Sequence, residues 1–196
     1  MSENISAHYL ANATRDSRLY ELARSNNFRF YVEGLGGLLR AGYNSAQQDA
    51  YISENADEVL EFSVKSSSVP KFQQEVIEIR RGNAVMKAAG LPTFNQGTLI
   101  IDDFIGADGK SVLMAWQNLS YNVDTQMVGY MKDYKKDCYL IEYDPNYKEV
   151  RTWKLFGCWV SDLNQSEFDH DEGGKRQITA TIEYDWAKME MPGEEL

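Results

Sequence analysis

Between Phe28 and Glu33 apolar and polar residues alternate. Phe28, Phe30 and Val32 share one face, and Arg29, Tyr31 and Glu33 share the other, the period-two signature of a half-buried strand. The alternation returns at 58–66, EVLEFSVKS, with Leu60, Phe62 and Val64 on one side. Pro70 then stops the ladder, because it has no amide hydrogen to donate. Segment 74–90, QEVIEIRRGNAVMKAAG, reads as a hairpin that turns at Gly82-Asn83 with Ile77 and Ile79 facing inward. Residues 97–106, GTLIIDDFIG, are apolar on both faces near their start, as in a central strand. A strand, a turn at Asp144-Pro145-Asn146 and a second strand fill 137–163. The last alternation, 175–186, puts Ile178, Ala180, Ile182, Tyr184 and Trp186 on one face.

Helical spacing is rarer. Val112, Ala115, Trp116 and Leu119 within 109–122 predict an amphipathic helix. Segment 14–25 predicts a short helix capped by Thr14 or Asp16, and 123–136 fits helix or loop. Residues 1–13 read as a flexible N-terminal arm and 189–196 as a loose acidic tail. Segment 34–57 lacks a sustained period and reads as a long loop. The expectation is one domain over 14–188, mainly β, an antiparallel β-sandwich or barrel of about seven or eight strands. One or two helices are inserted.

Composition narrows the function. The chain has 196 residues and is 43% hydrophobic, enough for a core without staples. Its net charge of -10, with no long basic run, argues against attraction to nucleic acid or to an anionic membrane. An acidic surface repels nucleic acid, which suits a conduit. Two isolated cysteines, Cys138 and Cys158, read as small buried hydrophobes in a reducing compartment. No apolar run reaches membrane-helix length and the N-terminus lacks a signal-peptide pattern, so a soluble cytoplasmic product is expected.

Candidate chemistry is sparse. FDHDEGG (168–174) gathers Asp169, His170, Asp171 and Glu172. Consecutive ligands seldom converge on one ion, and the Gly-Gly end reads as a hairpin turn. Asp102, Asp103 and Asp108 miss calcium-loop spacing and read as a loop into the helix. GLGG (34–37) lacks the glycine spacing and the helix of a dinucleotide site. His8 and His170 are the only imidazoles and have no nucleophile at motif spacing. No catalytic, cofactor or metal set is expected, so the chain reads as a structural protein. A carbohydrate- or small-ligand-binding β-sandwich and an acid-pair hydrolase stay open as other classes.

The order of the pieces resembles the tail tube proteins of contractile-tailed bacteriophages. The resemblance covers roughly 14–188. It is carried by TRDSRLYELARSNNFRFYVEGL, then EFSVKSSSVP, EVIEIRRGNAVMKAAG and GTLIIDDFIGADGKSVLMAWQNLS. DYKKDCYLIEYD, TWKLFGCWVSDL and ITATIEYDW follow. Val160 stands where the family's pattern has Pro, and 34–57 is longer than the pattern. The resemblance implies hexameric rings that stack by self-association into a hollow tube, part of the virion tail, assembled in the host cytoplasm. The tail sheath would lie outside, with baseplate and tail terminator proteins at the ends, and DNA would pass without specific binding. A type VI secretion or tailocin tube, or a tube initiator at the baseplate, shares the architecture. Phe156 and Trp159 are expected at core or interface positions, and 34–57 and both termini against neighbouring subunits.

Overall fold

The computed structural model describes residues 23–42, 50–105, 108–165 and 174–191. Its elements begin β1 (Phe28–Val32), α1 (Leu35–Gly42), α2 (Ala50–Ser63), β2 (Val64–Ser67), β3 (Lys71–Arg81), β4 (Ala84–Asn95) and β5 (Gly97–Asp102). They continue with α3 (Gly109–Ser120), β6 (Tyr121–Asn122), β7 (Met127–Val128), α4 (Met131–Tyr134) and β8 (Lys136–Tyr143). Last come β9 (Glu149–Gln165), β10 (Gln177–Glu183) and β11 (Trp186–Glu190). The chain is mainly β and antiparallel, as its alternation predicts. Eleven strands lie among the described residues, more than the seven or eight expected, because short pairs such as β6–β7 carry too few residues to show a period.

The main sheet runs β1-β8-β9-β10-β5-β2, with β11 also on β9. β9 serves two neighbourhoods. Its first half pairs with β8 and β11 and its second half with β10. The change of direction falls at Gly157 (φ +66), where Asp137 of β8 alone opposes Phe156 and Gly157 of β9. Such a bulge bends a strand and re-aims its side chains. The result is that Leu155, Cys158 and Val160 are buried, while Phe156 and Trp159 are half-buried on the other side. Trp159 is thus no full core residue. Its ring meets Tyr134 edge-on at 5.8 Å.

One apolar cluster joins the sheet to the helices. It includes Phe30, Leu99, Ile101, Ile178 and Ile182 from strands, and Leu35, Leu39, Leu60, Leu113 and Trp116 from helices. α3 fulfils its predicted pattern, with Asp108 accepting from Ser111 N at 2.9 Å as N-cap. The Trp116 Nε1–H donates to the Tyr134 carbonyl at 2.8 Å, fixing α4 against α3.

Four expectations fail. Segment 34–57, read as a loop, contains α1 and the start of α2, with Leu35, Leu39 and Ala56 in the core. Residues 58–63, read as strand, are the end of α2. Ala56, Val59, Leu60 and Ser63 are buried at helical spacing, and Phe62 is 70% exposed. The face expected to run through Trp186 ends at Tyr184. There the Asp185 amide donates to the Phe156 carbonyl at 2.9 Å, and the chain restarts as β11. β11 also takes up the first residues of the expected loose tail. Residues 1–22, with the N-terminal arm and most of the 14–25 helix, lie outside the described residues; residues 23–25 are not helical.

Candidate assembly interface

The largest unexplained feature is β3–β4, a two-stranded sheet of its own. Gly82 (φ +60) turns it, at the position the sequence predicts. All of β3 is exposed, and in β4 only Gly90 and Phe94 are half-buried. Eleven residues at about 3.4 Å each make an arm of roughly 35 Å. Ile77 and Ile79, expected inside, are 49% and 41% exposed.

Register resolves the arm's two faces. Ile77↔Ala88 and Ile79↔Met86 stand side by side on one face, so its outer half is apolar. Val76↔Ala89, Glu78↔Lys87 and Arg80↔Val85 make the other face mixed. At Gly90 the ladder slips, and a Cβ there would lie 2.9 Å from the Glu75 carbonyl oxygen. An isolated hairpin is marginal in water, and a large exposed apolar face marks a binding surface.

The arm's root is held firmly. The Lys71 amide donates to the Tyr184 hydroxyl at 3.3 Å, and that hydroxyl reaches the Lys71 carbonyl at 3.5 Å. Phe72 and Phe94 lie 5.8 Å apart by ring centroids, and Phe94 meets Tyr184 at 6.2 Å. Beside the root lies a groove of about 860 Å³ between the arm and β11, walled by Phe72, Phe94, Trp153 and Met189. Lys71 and Lys188 also line it. The Trp153 Nε1–H is buried and has no hydrogen-bond partner among the described residues.

A second surface crosses the outer face of β1, β8, β9 and β11. Tyr31 and Tyr139 stack at 4.8 Å and Phe156 and Trp186 at 3.9 Å. Lys154 Nζ stands 5.0 Å from both the Tyr139 and Phe156 rings and joins the two stacks. The Tyr139 hydroxyl beside it raises the Lys154 pKa, and burial raises those of Tyr31 and Tyr139.

The sequence candidates are placed as follows. Asp102 accepts from Lys175 at 2.8 Å and Gln177 at 3.1 Å, and Lys175 holds its carboxyl below the ordinary value. Asp103 pairs with Arg176 at 3.4 Å, and Asp108 caps α3. Each of these three acids is thus engaged by a partner within its own chain. GLGG does open a helix, contrary to expectation. The Gly36 amide donates to Asp57 at 3.2 Å, so a carboxylate of the same chain occupies that helix end. Asp169, His170, Asp171, Glu172 and His8 lie outside the described residues; β9 and β10, which precede and follow segment 168–174 in the chain, pair antiparallel. Cys138 and Cys158 are free and buried. Among the described residues no group of three or more His, Cys, Asp or Glu could hold a metal ion, and no helix is long and apolar enough to cross a membrane.

The arm's exposed face is what sequence reasoning missed. Its signal is that both faces of β3 carry apolar residues, while among the described residues no strand but β4 pairs with it.

Residues 26–187 match the family described as "T4-like virus tail tube protein gp19". Tail tube protein gp19 of Enterobacteria phage T4 is 21% identical over 140 residues, covering 69% of this chain and 83% of that protein. Among solved structures, one chain of the PVC sheath-tube complex, an extracellular contractile injection system in its extended state, superposes with a TM-score of 0.60. It is 17% identical, over 88% of this chain and 94% of that one. A chain of the same system's sheath/tube terminator gives 0.61 at 18% identity, over 88% and 99%. At these identities the structural likeness concerns the fold.

Proposed function

The chain belongs to the T4-like virus tail tube protein family, and from that premise we propose that it is the structural, non-catalytic subunit of a contractile tail's tube. Six copies close into a ring, rings stack into a hollow conduit in the virion tail, and DNA passes through it without specific binding. The sheath surrounds the tube, and baseplate and terminator proteins close its ends. Assembly takes place in the host cytoplasm.

One observation carries this reading: the arm of β3 and β4 exposes an apolar outer face that nothing among the described residues covers. A second copy supplies the cover. The edges fit the same picture, since among the described residues β1 and β2 end the main sheet and each pairs on one side only. Open edges invite pairing with another chain, and a head-to-tail contact whose rotation closes makes a ring. The net charge of -10 keeps DNA from adhering to the wall. The fold likeness to a contractile injection system's tube supports a second reading, in which the conduit delivers a cargo other than a genome.

Negative-stain electron microscopy of the purified chain tests the proposal. Six-fold rings and stacked tubes are expected. A chain that stays monomeric at high concentration, with sheath protein present, would sink it. Tubes that form only on an injection-system baseplate would select the second reading.

A further inference from the structure

The two ends of β5 carry opposite shapes. At its Gly97 end lie the arm's root and the groove of Phe72, Phe94, Trp153 and Met189. At its Asp102 end the chain runs into Phe104 and Ile105. Phe104 packs on Phe62 of α2 at 5.2 Å, and Ile105 is fully exposed. Phe62, Phe104 and Ile105 form an apolar knob that no described element of the chain covers.

We propose that this knob seats in the groove of a second copy of the chain, and that the contact joins one ring to the next. The inference rests on the tube-subunit reading and names the surfaces behind its axial contact. Two features favour this occupant. Knob and groove lie at opposite ends of one strand, so their union is head-to-tail and repeats without limit, as a filament requires. The groove is lined by Lys71 and Lys188, whereas exposed Glu58 stands one helical turn before Phe62, so the charges complement. The arm's own tip fits less well, because it presents Arg80 and Arg81 to a groove that already holds two lysines.

The test uses two full-length variants, Ile105→Asp to spoil the knob and Met189→Asp to spoil the groove. Both side chains are exposed, so each variant should melt like the parent. Each alone should form rings but raise the concentration needed for stacking by about tenfold or more. Mixed together, they retain one live knob and one live groove, and should give pairs of rings that grow no further. Unchanged stacking by Ile105→Asp, or a mixture that yields only single rings, would overturn the pairing and leave the subunit reading intact. A parent chain that never forms rings would defeat that reading and this one together.

Discussion

The Lys71 amide and the Tyr184 hydroxyl meet at 3.3 Å across the boundary between arm and body. The hydroxyl returns toward the Lys71 carbonyl at 3.5 Å, so one phenol serves both polar groups of the arm's first residue. Tyr184→Phe keeps the ring against Phe94 and removes only this tie. A stability loss of about 1 kcal/mol is expected. Faster hydrogen exchange should follow at the Lys71 amide, with the β10 amides unchanged. Equal protection of Lys71 in both proteins would contradict the role.

The arm's outer face should matter to assembly and hardly at all to the monomer. Ile77→Lys with Ile79→Lys alters two exposed positions, so unfolding should shift by no more than about 0.5 kcal/mol per site. Sedimentation at high concentration should nevertheless find the variant unable to polymerise. A variant that unfolds would mean the face is covered by its own chain. One that polymerises normally would mean the face is not an interface.

These same isoleucines show how far the sequence can be read. Alternation reports that a strand has a covered face, but not whose atoms cover it, so Ile77 and Ile79 look the same beside their own core or beside a neighbour. α3 is legible because Val112, Ala115, Trp116 and Leu119 agree on one period and Asp108 supplies the cap. Residues 58–64 satisfy two periods at once. Leu60, Phe62 and Val64 alternate, while Ala56, Val59, Leu60 and Ser63 make a helical stripe, and packing against α3 selects the helix. The bulge at Gly157 is visible as a glycine but not as a bend, because its conformation depends on β8 and Asp185. The acids at 102, 103 and 108 read as the approach to the helix, and their partners lie on the adjoining segment 175–177 or in the helix that follows.

Gly157 is held by two constraints that a substitution can separate. Its φ of +66 lies in the left-handed region, where a side chain costs about 1–2 kcal/mol. A Cβ there would also run into the Asp185 carboxylate, which pairs with Lys135 at 2.7 Å. Gly157→Ala should therefore lose more than the backbone cost alone. Adding Asp185→Ala should restore part of that loss but not all of it. A double-mutant cycle in thermal or denaturant unfolding reads the difference, and strictly additive losses would show that the carboxylate does not oppose the methyl group.

Alkaline stability should report the buried thiol of Cys138. Burial, and then its contact with Cys158, push its pKa well above the ordinary value. A pKa raised on folding contributes stability that is fully present below the unfolded value, about 8.5 for a thiol, and lost as pH rises through the folded value. The sign follows from proton counts. Above about pH 8.5 the unfolded chain has released this proton and the folded chain has kept it, so folding binds a proton and stability falls with pH. One such group gives a slope of at most about 1.4 kcal/mol per pH unit. Burial also raises the pKa values of Tyr31, Tyr139 and Tyr184. Their unfolded value is about 10, so the interval from about pH 8.5 to 10 belongs to the thiol. Denaturant unfolding of the reduced protein across that interval should show the decline. Cys138→Ala, less stable throughout because of the cavity it leaves, should decline less steeply. Parallel slopes for the two proteins would assign the loss to other groups.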